Sequence, residues 1–316
     1  MEDKKDTLHK IIKEMKLPYL RFSVTKDCNG NCAFCHNEGQ GIGVRGTRSK
    51  ICNSDLDLSK IKDIAIYFKK YFKIVKFTGG EPLLLNNFTE IVKVFHNAGY
   101  LCTLTTNGFL LDEQKQIELK NAGIKKINIS IPSLNKKEYD KLFRVKGYLD
   151  IVLKNLKTIS KHFKKVKINF MANKNNLQDE LLKFDKLSKD CKIDISVMEL
   201  ITPGSLSEPI SSEIISILEK KKKIKHIKSI KNSFGTKKVY TFCNGGTWEI
   251  DDFRESNYRK KAFDNKICSK CHMKDICTEG PYAMRLSSSG TLRPCLIRQD
   301  NLIEIGELNI YKKEVN

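Results

Sequence analysis

The chain has 316 residues, 40% of them hydrophobic, and 58 Lys and Arg against 37 Asp and Glu give it a formal net charge of +21. A chain of this length buries roughly three quarters of its unfolded surface, which excludes a disulfide-stapled miniprotein and argues for one large domain with a smaller appendix. No apolar run reaches the about 18 residues of a membrane span, and the amphipathic opening MEDKKDTLHKIIKEMK lacks a signal-peptide core, so a cytoplasmic protein with no membrane partner is expected.

Eleven cysteines in a compartment that keeps thiols reduced point to metal ligation rather than disulfides. The excess lysine reads most simply as a solvated surface; its functional readings are attraction of an anionic substrate, an acidic electron donor or RNA. The one dense run, Glu219 to Lys225, has no interleaved aromatics on which bases stack, which argues against nucleic acid.

In chain order, an N-terminal helix over 1–17 precedes a repeated switch between β-branched runs and helical periodicity. Strands are expected at 20–24, 74–78, 100–106, 126–131, 165–171 and 192–200, with helices between them. Asn-Ala-Gly recurs at 97–99 and 121–123, each time where a helix C-cap would precede a strand. Strands alternating with helices imply parallel pairing and right-handed crossovers. The expected fold is therefore α/β, a partial (β/α)6 TIM barrel over 18–205, followed by a linker helix over 206–230 and a small C-terminal hairpin domain over 231–316. Sites on such a sheet gather at the C-terminal strand ends, and the unusual residues fall there: the cysteine loop, Gly79-Gly80-Glu81-Pro82, Thr106-Asn107-Gly108 and Ser130-Ile131-Pro132-Ser133.

Cys28, Cys32 and Cys35 form C-x3-C-x2-C in the first of these loops. Three thiolates can hold three corners of a [4Fe-4S] cubane and leave the fourth iron open, or join His36 in a Cys3His zinc site. Gly79 and Gly80 remove side-chain bulk so that backbone can approach a ligand, while a carboxylate or carbonyl at Glu81 offers an ammonium partner. Asn107 and Ser130 sit where they could bind a ribose or a carboxylate.

The cysteine spacing, Phe34 beside the last cysteine, and Lys76-Phe77-Thr78-Gly79-Gly80-Glu81-Pro82 at a strand end resemble the radical S-adenosylmethionine (SAM) superfamily over about residues 18–201. The resemblance implies an open iron that binds SAM and a 5′-deoxyadenosyl radical that abstracts hydrogen from substrate. Cys28, Cys32 and Cys35 would be the cluster ligands, and Phe34, Gly79, Gly80, Glu81, Asn107 and Ser130 the cofactor site.

Tyr19-Leu20-Arg21-Phe22-Ser23-Val24-Thr25, His36-Asn37-Glu38-Gly39, Leu104-Thr105-Thr106-Asn107-Gly108 and the hairpin Arg285 to Leu296 resemble, in order, the GTP 3′,8-cyclase family of molybdenum-cofactor biosynthesis. By that resemblance Arg21, Lys76, Thr105 or Thr106, Lys167 and Arg285 match substrate-contacting positions. Lys76 stands where the family usually has an arginine, Ala283 replaces one arginine of an Arg-x-Arg pair, and Lys313-Glu314-Val315-Asn316 stands in place of a terminal Gly-Gly. A lysine lacks the guanidinium fork, which weakens bidentate phosphate recognition.

Cys268, Cys271, Cys277 and Cys295 resemble a cluster of the Twitch and SPASM auxiliary domains, with Pro281 where a full SPASM motif has another cysteine. Four ligands would close a second [4Fe-4S] cluster, with a zinc ribbon as the alternative. Cys243 is a candidate extra ligand; Cys52, Cys102 and Cys191 read as buried small residues. The expected partners are a small anionic substrate such as a nucleotide and an acidic electron donor such as flavodoxin or ferredoxin. Peptide modification, and a non-enzymatic iron-sulfur or zinc protein, are the other function classes.

Overall fold

The computed structural model describes the chain outside residues 1–3, 41–42, 47–49, 53, 173–176, 200–210, 222–223, 233–234, 244–245, 253–267, 273–281, 297, 299–301 and 312–316. Helix α1 (Lys4–Glu14) leads into β1 (Leu20–Ser23), and the cysteine loop then runs to α2 (Leu58–Phe68). Units follow as β2 (Ile74–Thr78), α3 (Phe88–Asn97), β3 (Leu101–Thr106), α4 (Glu113–Ala122), β4 (Ile124–Ser130), α5 (Lys136–Phe143), α6 (Tyr148–His162), β5 (Val166–Ala172), α7 (Leu177–Cys191) and β6 (Asp194–Glu199). Beyond them come α8 (Ser211–Lys221), β7 (Ile224–Asn232), β8 (Gly235–Phe242), β9 (Thr247–Asp252), β10 (Met284–Leu286), β11 (Thr291–Arg293) and β12 (Ile303–Glu304).

All six expected core strands are present and pair in parallel, β1 through β6, as one open sheet. Asp57 and Asp112 start α2 and α4 by accepting from Lys60 N and Lys115 N, each at 2.8 Å. Gly123 ends α4 at φ 110°, and a Cβ there would sit 2.3 Å from the His96 ring, so both conformation and space require glycine.

Strand alternation sorts the chain into two faces. One register row, Met284, Leu20, Val75 and Cys102, is buried against the helices with the core of Ile64, Phe68, Ile91 and Phe95. The neighbouring row on the opposite face reads Arg293, Arg285, Arg21, Lys76, Thr103, Lys126, and five of its six positions are cations.

Two C-terminal hairpins extend the barrel's sheet at opposite edges. β9 pairs in parallel with β6 and carries β8 and β7 beyond it, whereas β10 pairs in parallel with β1 and carries β11 and β12. The linker helix is corrected: α8 stops at Lys221, and Ile224–Asn232 is a strand. Ile224, Ile227 and Ile230 recur every third residue, a helical spacing, and β7 pairs on one side only, so burial imposes no period of two on it.

Candidate active site at the cysteine loop

The loop carrying Cys28, Cys32 and Cys35 is gripped from two sides. Gly80 N donates to Thr25 O at 2.7 Å and Glu81 N to Asp27 O at 2.8 Å, so the Gly79-Gly80-Glu81 segment runs hydrogen-bonded along the loop's start. A Cβ on Gly80 would lie 1.9 Å from Asp27 O, and one on Gly79 2.5 Å from Thr25 O. The room these glycines leave on the Cβ side is filled by the backbone of the cysteine loop. Opposite, Asn31 N and Ala33 N donate to Phe143 O and Leu142 O at 3.1 and 2.9 Å, using carbonyls that the end of α5 leaves free.

Cys28 is buried, Cys32 half-buried and Cys35 exposed, with Phe34 half-buried between the last two. Burial first, then the Glu81 carboxylate, pushes the Cys28 thiol up to about 11. Burial and then the Cys28 and Cys35 sulfurs push Cys32 up to about 12, while Arg45 opposes both shifts. Three thiols this close resist ionising together unless a cationic centre neutralises them.

Two observations test the fit to a cluster. Gly30 N donates to Cys28 Sγ at 3.3 Å, and Asn107 Nδ2 lies 4.0 Å from the same sulfur, so donors already face the sulfur-rich side of the loop. His36 Nδ1 accepts from Glu38 N at 3.0 Å, which engages one of its two ring nitrogens. Three thiols in one loop, with N–H donors beside the buried one, fit three corners of a [4Fe-4S] cluster.

Glu81 is 1% exposed and its carboxylate is fully engaged within the protein. It accepts from Thr106 Oγ1 at 2.7 Å, Asn107 N at 2.8 Å and Leu83 N at 3.1 Å, while burial outweighs these bonds and raises it to about 7. The carboxylate therefore braces the site internally. Asn107 likewise braces the loop, donating to Asn29 Oδ1 at 2.7 Å and accepting from Phe109 N at 3.0 Å. Ser130 is half-buried at the end of β4, in register with Asn169.

The cation row lies two residues before the loop's strand end, about 7 Å along β1. Arg21 Nη2 bonds Glu38 Oε1 at 2.5 Å, and Arg285 Nε lies 3.4 Å from Glu38 Oε2. Burial pushes Glu38 up, but Arg21 overrides it and holds the carboxyl at about 2. Arg285 is 1% exposed; its guanidinium lies 4.3 Å over the Tyr282 ring, and among the described residues none of its nitrogens has a hydrogen-bond partner. Lys76 Nζ sits 3.5 Å over the Tyr19 ring. Burial, then Arg21, Lys126, Lys237 and Lys167, lowers Lys76 to about 7. On the far wall Lys167 pairs with Glu249, which also lies 3.6 Å from Lys237. Thr105 lies in the row of Asn128, Lys167 and Asp194, whereas Thr106 is committed to Glu81.

Cys268 and Cys271 share a turn, with Cys271 N donating to Cys268 O at 3.0 Å, and Cys295 is buried just beyond β11. Cys277 and Pro281 lie outside the described residues. Cys243 is exposed after β8, Cys102 and Cys191 are buried as expected, and Cys52 is half-buried. Sequence reasoning missed Glu38, Lys126, Lys237, Glu249, Tyr19 and Tyr282 as interior residues. Alternation in Ile124-Lys125-Lys126-Ile127-Asn128 signals that Lys126 faces inward; nothing local signals the partners of Glu38 or Glu249.

The family model for the radical SAM superfamily matches residues 22–187. The chain is 32% identical over 305 residues to a protein of Saccharolobus islandicus named Probable GTP 3′,8-cyclase, covering 93% of this chain and 87% of that one. It is 28% identical over 297 residues to the protein of that name from Methanococcus aeolicus, covering 90% and 87%. Among solved structures, Streptococcus suis SuiB bound to S-adenosylmethionine shares the fold with a TM-score of 0.62 at 15% identity, over 98% of this chain and 70% of that one. The AdoMet-bound anSMEcpe does so with a TM-score of 0.57 at 16% identity, over 92% and 79%.

Proposed function

Because this chain belongs to the radical SAM superfamily, we propose that Cys28, Cys32 and Cys35 hold a [4Fe-4S] cluster at which SAM is reductively cleaved, and that the substrate is an anionic nucleotide, GTP first. When bound, the cluster and SAM supply a carbon radical that takes a hydrogen atom from the substrate. The chain's own residues do the rest. Three thiols would hold three irons of a cubane and leave the fourth without a protein ligand, and Glu81 and Asn107 fix the loop's geometry.

The observation that carries the substrate class is the interior row of Arg293, Arg285, Arg21, Lys76 and Lys126 one step below the cysteine loop. Among the described residues Arg285, fully buried, has no hydrogen-bond partner on any guanidinium nitrogen and Arg21 has none on Nε; such buried donors are costly without an anion, and a polyphosphate supplies the missing charge. The relatives named Probable GTP 3′,8-cyclase support GTP within that class. Cys268, Cys271, Cys277 and Cys295 are proposed to hold a second [4Fe-4S] cluster in a Twitch-like region, and an acidic flavodoxin- or ferredoxin-type protein to deliver electrons.

The test is anaerobic turnover of the reconstituted protein with SAM, reductant and GTP. 5′-Deoxyadenosine should form in step with GTP loss and disappear in Cys32→Ala. SAM cleavage without GTP loss would redirect the search to other anionic metabolites, and absence of SAM cleavage would sink the radical reading.

A further inference from the structure

Glu38 stands three residues after Cys35, yet its carboxylate reaches into the cation row. It is 5% exposed, bonds Arg21 Nη2 through Oε1 and faces Arg285 Nε through Oε2. The turn that delivers it has two successive non-glycine residues in the left-handed region, Asn37 at φ 47° and Glu38 at φ 52°. Such backbone persists only where surrounding contacts over-determine it. The contacts here are His36 Nδ1 on Glu38 N, Gln40 bonded to Ser23 and to Ser288 N, and Gly39 packed so that a Cβ would meet the Arg293 side chain at 3.2 Å.

We propose that Glu38 is a specificity-determining residue, an internal carboxylate occupying the seat between Arg21 and Arg285 that an anionic group of the substrate takes by displacing it. This rests on the anionic-substrate reading above. The Arg285 edge away from Glu38, with Nη1 and Nη2 both unpartnered and buried, is where the incoming anion first engages. Taking the Arg21 donor requires breaking a charge-assisted bond already made, so a ligand with a single weakly held charge gains little, whereas a polyanion replaces one acceptor with several. Displacement also frees the strained turn beside Cys35, which couples filling of the anion seat to the cysteine loop.

The experiment is calorimetric titration of the anaerobically reconstituted protein with inorganic tripolyphosphate, comparing wild type, Glu38→Gln and Glu38→Asp. Glu38→Gln should tighten binding by roughly tenfold or more, the scale of one charge-assisted hydrogen bond no longer broken. Glu38→Asp keeps the charge but is one methylene shorter, and should tighten binding to a lesser degree. Tightening in Gln with none in Asp marks a mere charge effect and overturns competition for the seat, as does unchanged or weaker binding in Gln. If wild type binds and Glu38→Gln is unaltered, only the role of Glu38 falls; if neither binds, the anionic-substrate reading falls with it. Iron content and melting temperature establish that each variant is folded, and the two variants are read together.

Discussion

Lys76 and Glu81 both titrate near neutrality, for the same reason with opposite sign. Burial removes each charge from water, lowering the lysine to about 7 and raising the carboxyl to about 7. For Lys76, the folded protein binds fewer protons than the unfolded chain between about 7 and the ordinary lysine value of 10.5, so its contribution makes stability rise with pH across that window. Lys76→Met should flatten that rise in pH-dependent denaturant melts. An anion bound beside Lys76 restores its proton, so tripolyphosphate binding at pH 8 should take up protons, seen as a buffer-dependent calorimetric enthalpy, and the uptake should vanish in Lys76→Met. For Glu81 the sign reverses: the folded state holds the proton longer, so its contribution falls as pH rises from 4.5 to about 7. Glu81→Gln turns one accepting oxygen into an NH2 facing N–H donors and should cost about 1–3 kcal/mol in chemical unfolding.

At the scale of elements, the cysteine loop is held by backbone rather than by side chains. Gly80 meets Asp27 backbone at 1.9 Å from a virtual Cβ, whereas Gly30 meets the Phe143 ring at 2.6 Å. A ring can rotate and a hydrogen-bonded peptide cannot. Gly80→Ala should therefore lose most of its iron on reconstitution, while Gly30→Ala keeps more, as measured by iron per chain and cluster absorbance. The same contrast explains what was legible. C-x3-C-x2-C and Gly79-Gly80 announce a loop and a tight approach from spacing alone, but only the paired backbones reveal that each is the other's partner. β7 was illegible because a one-sided edge strand need not alternate, and its isoleucines fall at helical spacing.

Across the whole molecule, the charge of +21 divides into a solvated surface and a buried row. The row is partly neutralised by Glu38 from the cysteine loop, while Glu249 from β9 pairs with Lys167 in the neighbouring row, so both carboxylates come from outside the six core strands. Because buried charges are screened less than exposed ones, tripolyphosphate affinity should fall less with added salt than a surface-bound polyanion's would. With two cubanes proposed, reconstituted protein should carry about eight irons per chain; four irons with one zinc would remove the second cluster.

The sequence by itself determined the chemistry and the architecture, because both are written in short spacings: three thiols within one loop, apolar residues at intervals of two or three and four, Asn-Ala-Gly before strands. Tertiary structure alone decided that Arg285 from the last hairpin stands beside Arg21 from the first strand, that Glu38 sits between them, and that Glu81 braces rather than binds. Those facts depend on hydrogen-bond register between strands distant in the chain, and register is set by how the whole sheet buries its apolar face, which no local spacing encodes.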